Sequence, residues 1–138
     1  MSRSFTEIDH SGDVGIEARG TNVSELLSHA TLGLFSLLYR GTVRSVSERA
    51  IRVEALSLED LLVDWLGEVI AMGGCYGELY GSVEIYRADS RCAEGVLRGE
   101  SFDPSRHDPR FDVKAATYHA LSVTESSDGL CARVIFDL

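Results

Sequence analysis

Between residues 22 and 38, apolar side chains recur at 23, 26, 27, 30, 34 and 38, a spacing that gathers them on one face of a helix. Asn22, with Glu25 three residues later, supplies a capping arrangement at its start. The same period predicts a second helix over about 58–72, with Leu58, Leu61, Leu62, Trp65, Leu66, Val69 and Ile70 on its apolar side. Ser57 and Asp60 signal its beginning, and Gly73-Gly74 its end.

Elsewhere the period changes to two. Residues 49–55 alternate Ile51, Val53 and Ala55 with Arg52 and Glu54, and residues 82–87 alternate Val83 and Ile85 around Glu84. Residues 15–19 predict a short strand. The clearest pair is 112–125 and 130–138, joined across Ser126-Ser127-Asp128-Gly129, a strong hairpin signal. In the last strand Leu130, Ala132, Val134, Phe136 and Leu138 share one face, and Cys131, Arg133, Ile135 and Asp137 the other. The pattern as a whole predicts an α+β fold, with two amphipathic helices packed on a mostly antiparallel or mixed sheet and a C-terminal β-hairpin.

Composition narrows the class. A chain of 138 residues, 44% hydrophobic with two prolines, is of single-domain size, and one domain over 1–138 is expected. No apolar run approaches the roughly 20 residues of a membrane span. The opening Met-Ser-Arg-Ser-Phe-Thr-Glu lacks the apolar stretch of a signal peptide, so a cytoplasmic location is expected. Cys75, Cys92 and Cys131 are far apart and odd in number, which argues against a disulfide framework and a thiolate zinc site.

Charge excludes a second class. The 22 acidic residues against 13 basic ones give a net charge of −9, and Lys114 is the only lysine. A tight nucleic-acid binder displays a basic stripe, so direct RNA or DNA binding is not expected. Docking on a basic partner remains open.

Oxygen-rich chemistry sits at the two ends. Asp13 follows His10-Ser11-Gly12, and the chain closes on Asp137-Leu138. Two carboxylates and a terminal carboxylate form a hard-oxygen cluster if the ends meet, which suits calcium, magnesium or manganese better than zinc. A turn aspartate also commonly caps backbone NH groups, so Asp13 alone decides nothing. Lys114, in a strand near His119, could equally sit on a solvated face. His10, His107 and His119 show no zinc-motif spacing. The loop 99–107, with Asp103 and His107, is either a site wall or a surface connection. None of these pieces forms a nucleophile–base set or a phosphate-cradling loop.

In combination and order the motifs are more specific. Phe5 to Asp13, Leu62-Val63-Asp64-Trp65-Leu66, Gly99-Glu100 with Asp103 and His107, Lys114-Ala115-x-Thr117-Tyr118-His119, and Val134-Ile135-Phe136-Asp137-Leu138 together resemble the archease family over essentially the whole chain. The family's N-terminal motif commonly reads His-Thr-Ala-Asp. Here it reads His-Ser-Gly-Asp, in which Ser11 keeps the hydroxyl and Gly12 loosens the turn. The resemblance implies a non-catalytic cofactor of an RtcB-type RNA-splicing ligase, promoting guanylylation of the ligase and its repeated turnover in tRNA splicing or RNA repair. It also implies a divalent cation, calcium in the first place, held by Asp13, Asp137 and Leu138. His10, Asp103, His107, Lys114 and His119 are then the candidates for partner contact or activation. Two other classes stay in view: an autonomous metal-dependent phosphoester hydrolase with a histidine base, and a chaperone-like binding module for RNA-processing enzymes.

Overall fold

The computed structural model describes residues 4–138. Strand β1 (Phe5–His10) turns into β2 (Asp13–Gly20), which leads to helix α1 (Val23–Leu38) and directly to β3 (Tyr39–Arg40). Strand β4 (Ser47–Glu54) precedes helix α2 (Leu58–Tyr76), followed by the long strands β5 (Glu78–Ala88) and β6 (Cys92–Ser101). The chain finishes with β7 (Asp108–Pro109), β8 (Ala115–Ala116), β9 (Ser122–Ser126) and β10 (Gly129–Asp137). This is the expected α+β architecture, and every strand pairing is antiparallel.

Both helices start where the sequence places them. Asn22 Oδ1 accepts from Glu25 N at 2.9 Å, and Glu25 returns a carboxylate to Thr21 N at 3.1 Å. Ser57 Oγ accepts from Asp60 N at 3.1 Å. Helix α2 runs past Gly73-Gly74, however, to Tyr76. Glycine weakens a helix without stopping it, at about 1 kcal/mol each. The stop is Gly77, whose left-handed φ of 62° lets its N–H reach back to Gly73 O.

Two larger sheets share one core, and β3 pairs with β7 in a separate two-stranded ribbon. The first runs β1-β2-β10-β8, with β9 on the same edge of β10 as β8; the second runs β4-β6-β5. Helix α1 packs on β2 and against β5, and α2 packs on β4 and β8, so the helices bridge both sheets. Where the two helices meet, the packing contains one polar link. The fully buried Trp65 donates its indole N–H to Thr31 Oγ1 at 2.9 Å, and that hydroxyl donates to Leu27 O at 2.6 Å.

The strands differ from the sequence pattern as well. The expected strand 112–125 is broken: β8 and β9 pair with β10 in displaced registers, and residues 117–121 loop out, closed by Leu121 N donating to Tyr118 O. Strand β6, the middle of the second sheet, was not predicted. Its alternation is masked by glycines, one of which (Gly99) has no room for a side chain, since a Cβ there would lie 1.9 Å from Leu79 O. Strand β1 was also not predicted, and among the described residues it is the outermost strand on its side of the first sheet.

Replacing Thr31 by valine keeps the shape and strands the Trp65 N–H in the core. Such a loss costs about 1–3 kcal/mol, read as a lowered urea midpoint with unchanged slope. An unshifted midpoint would show that the bridge contributes nothing.

A carboxylate rim at the end of the first sheet

The first hairpin is the tightest available. Ser11 and Gly12 take φ values of 56° and 81°, both positive as a two-residue type I′ turn requires. The turn therefore belongs to Ser11 and Gly12, and Asp13 is the first residue of β2, directly opposite His10. Among the described residues Asp13 caps no backbone N–H, and its one charged neighbour within 4 Å is His119.

Strand β10 lies on the other side of β2. Its last pair is Phe136 with Val14, and one step further along the same register Asp137 comes beside Asp13. Asp137 in turn pairs with Ala115 of β8, and its carbonyl accepts from Lys114 N at 2.8 Å. His10, Asp13, Asp137 and Ala115 thus form one row across four strands, on the face away from α1, because their neighbours Val14 and Phe136 point into the core. Two carboxylates far apart in the sequence are therefore on neighbouring strands.

One pair further in on the same face lies the row Ile8, Gly15 and Ile135. Both isoleucines are buried, and a Cβ on Gly15 would come within 2.9 Å of Ile135 Cδ1. The carboxylates therefore stand at the boundary between an apolar floor and solvent. Gly15 was not singled out in the sequence; a glycine inside a strand is the signal that marks such a close approach.

A loop overlies the rim. Thr117 donates to Ile135 O through both its N–H (3.1 Å) and its hydroxyl (2.8 Å). Tyr118 donates its hydroxyl to Asp60 Oδ1 at 2.7 Å, and that hydrogen bond, followed by burial, pushes its phenol up to about 12. Next along, His119 Nε2 stands 3.7 Å from Asp13 Oδ2. Lys114 keeps its ammonium in solvent, 3.0 Å from Asp112 Oδ2. Among the described residues no three His, Cys, Asp or Glu side chains converge as a metal cluster on their own.

His107 and Asp103 have a different fate. His107 is buried, and its Nδ1 accepts from Asp103 N at 2.8 Å, so Nε2 carries the proton and donates to Glu100 at 3.1 Å. Asp103 Oδ1 accepts from both Ser105 N (3.0 Å) and Ser105 Oγ (2.7 Å). Glu100 also accepts from Arg44 N at 2.7 Å and pairs with Arg106. The segment 99–107 is thus a closed knot on the second sheet, and both ring nitrogens of His107 are engaged. Arg106, then the Arg44 N–H, outweigh burial and hold the Glu100 carboxyl at about 2. In the sequence Glu100 is legible only as part of the 99–107 segment, without a role of its own, and Arg44 carries no sequence signal.

The model of the Archease protein family (MTH1598/TM1083) matches residues 5–138. A protein archease of Saccharolobus islandicus is 32% identical over 138 residues, covering 99% of both chains. The solution structure of Methanobacterium thermoautotrophicum protein 1598 superposes with a TM-score of 0.83 at 27% identity, over 98% of this chain and 99% of that one. A Thermotoga maritima crystal structure, described as an archease and possible chaperone, shares the fold with a TM-score of 0.71 at 23% identity, over 95% and 94% of the two chains.

The knot predicts a pH response. The folded Glu100 carboxyl titrates near 2 against an ordinary 4.5, so its contribution is complete above that ordinary value and is lost as pH falls towards 2. Glu78, held at about 2 chiefly by Arg49, shares the window. Glu100→Gln should lower the melting midpoint near neutral pH and reduce its fall between about pH 5 and pH 2.5, without abolishing the fall. An acid limb identical to the wild type's would show that Glu100 is not part of it.

Proposed function

The chain belongs to the archease family, and from that membership together with the rim we propose that it is a metal-bearing, non-catalytic cofactor of an RtcB-type RNA-splicing ligase. In this reading it promotes guanylylation of the ligase's active-site histidine by GTP and sustains repeated turnover in tRNA splicing or RNA repair, in the cytoplasm. The observation that carries the proposal is the β2–β10 register, which brings carboxylates from opposite ends of the chain to one edge.

The donors suit a hard cation. Asp13 and Asp137 offer carboxylate oxygens on neighbouring strands, and the main-chain oxygens of Leu138 follow directly in the chain. The thiols are elsewhere: Cys75 is in α2, Cys92 opens β6, and Cys131 pairs with Arg19, six residues along β2 from Asp13. Asp13, Asp137 and Leu138 would hold calcium, magnesium or manganese. When bound, such an ion offsets the repulsion of the paired carboxylates and supplies positive charge for a phosphate or carboxylate of the partner. Around it, Lys114 N fixes the Asp137 carbonyl, Thr117 fixes Ile135, and the Lys114 ammonium offers a compact second positive charge. The net charge of −9 favours encounter with a basic partner surface.

A chaperone-like role is the second reading, favoured by the description of the Thermotoga maritima relative as a possible chaperone. The two separate on metal dependence.

Added in substoichiometric amount to a cognate ligase, the chain should speed guanylylation and permit multiple turnovers. Asp13→Ala and deletion of Asp137-Leu138 should each lose metal affinity by calorimetry and lose that stimulation. Equal rescue by metal-free protein would favour the chaperone reading, and unchanged ligase turnover across a titration would sink both. Lys114→Ala should shift stability by no more than about 0.5 kcal/mol, as an exposed substitution does, while weakening stimulation. A melting midpoint that collapses with activity would make Lys114 structural.

A further inference from the structure

Strand β4 is an edge of the second sheet that nothing blunts. Among the described residues it pairs with β6 alone. Its register against β6 runs from Ser47 to Glu54 without a shift, and the ladder continues to Ala55, whose N–H donates to Arg91 O at 2.8 Å. Hydrogen-bonded pairs alternate along an antiparallel ladder, so the odd-numbered residues spend their backbone groups on β6. Glu48, Ala50, Arg52 and Glu54 therefore turn their N–H and C=O outward. The opposite edge, β5, is interrupted by register shifts at Tyr80/Ser82 and Ile85/Arg87, a common protection against unwanted pairing. Over 47–54 there is no shift, proline, glycine or lysine.

The side chains on this edge are complementary to themselves. Two rows of charge cross the sheet and end on β4. In one, Arg98 pairs with Glu48 at 3.1 Å and with Glu84 at 3.3 Å. In the other, Glu94 pairs with Arg52 at 3.0 Å and with Arg87 at 3.6 Å, while Arg52 also reaches Glu54 along the strand. The first row thus meets the edge as a carboxylate and the second, four residues along β4, as a guanidinium. When two copies of β4 are set antiparallel about a two-fold axis at Ala50, Glu48 of each stands opposite Arg52 of the other. The rows then join into two runs of alternating sign: Glu84, Arg98 and Glu48 of one copy, followed by Arg52, Glu94 and Arg87 of the other. The adjacent registers that also match outward backbone groups are poorer, since one sets Glu48 against Glu54 and the other sets Glu48 against Ala50. Opposite charges across a ladder stabilise it, and like charges oppose it.

The same axis acts on the ends of the strand. Val46 and Leu56, 77% and 83% exposed, are the two most exposed large apolar side chains among the described residues, and they flank β4. With Val46 opposite the second copy's Glu54, the second copy's Leu56 lies two residues further on. Each apolar end therefore comes beside the other copy's opposite apolar end.

We propose that β4 is a homodimer interface, at which two copies join edge to edge into one six-stranded antiparallel sheet. The surface lies on the second sheet and requires neither a metal nor a ligase.

Sedimentation of the intact chain across a concentration series reads the association. The wild type should move from the 15.1 kDa of one chain towards twice that mass as concentration rises. Ala50→Pro removes the central outward N–H, a loss that an edge position tolerates, and should stay monomeric with an unchanged circular dichroism spectrum. Glu48→Arg and Arg52→Glu should each stay monomeric alone, because each sets like charges against one another across the axis. An equal mixture of the two should regain the dimer, since one then supplies arginine at both positions and the other glutamate at both. A purely structural effect gives no such rescue, as neither variant repairs the other's fold. A wild type that keeps the mass of one chain at every concentration, a dimer that persists in Ala50→Pro, or a mixture of charge variants that stays monomeric would overturn the assignment. Should Ala50→Pro fail to fold, the mixture decides alone.

Discussion

The pairing of β2 with β10 is the interaction on which the rest of the structure depends. It runs from Leu130 opposite Gly20 to Phe136 opposite Val14 without a break, and it sets both faces of the first sheet at once. On the inner face it delivers Val14, Ile16, Ala18, Ala132, Val134 and Phe136 to the core under α1. On the outer face it aligns Gly15 with Ile135 and brings Asp137 beside Asp13. A slip of one residue would exchange those faces, burying carboxylates and exposing isoleucine and phenylalanine, so the core enforces the geometry of the rim. The site is positioned by hydrophobic register rather than by polar contacts of its own.

The polar contacts lie around that frame and hold its parts together. Arg110 ties β1 to α1 by reaching Glu7 at 2.7 Å and the Ser36 carbonyl at 2.5 Å. Tyr39 donates to Tyr80 O at 2.7 Å and links the end of α1 to the second sheet. Arg49 makes a two-pronged pair with Glu78 at 2.9 and 3.0 Å while stacking its guanidinium 3.7 Å over Tyr76. Each joins elements far apart in sequence, and each satisfies a polar group that the core would otherwise leave costly.

The helices were legible because their information is local: a 3.6-residue apolar period, a capping asparagine and a capping serine. The last hairpin was legible too, although the turn closes at Ser127–Asp128 and Gly129, with φ of 123°, opens β10. Strand β6 was not, because its central place in the second sheet is expressed through glycines that admit neighbouring backbones, and absence of side chains leaves no period to count. The break at 117–121 was hidden for a related reason. Thr117 and Ala120 are ordinary strand residues, and only the carbonyl of Ile135 and the reach of Tyr118 to Asp60 pull them out of the ladder. Asp13 and Asp137 were nominated by their residue types and by likeness to a family, while their adjacency came from pairing that no local window contains. His107 illustrates the opposite error: a histidine beside carboxylates in a turn has the look of a site, and burial makes it a hydrogen-bonded support.

The same register has a consequence in time. Strand β10 is made more than a hundred residues after β2, once both helices and the second sheet have been made. Until β10 arrives, β2 has one sheet neighbour, β1, and its other edge is unpaired backbone flanked by Val14 and Ile16. Contacts of such sequence separation close late and slowly, since the loop entropy must be met before the strands reward it. Over that interval the emerging chain carries an open, apolar-sided edge, of the kind that invites pairing with other chains until β10 docks.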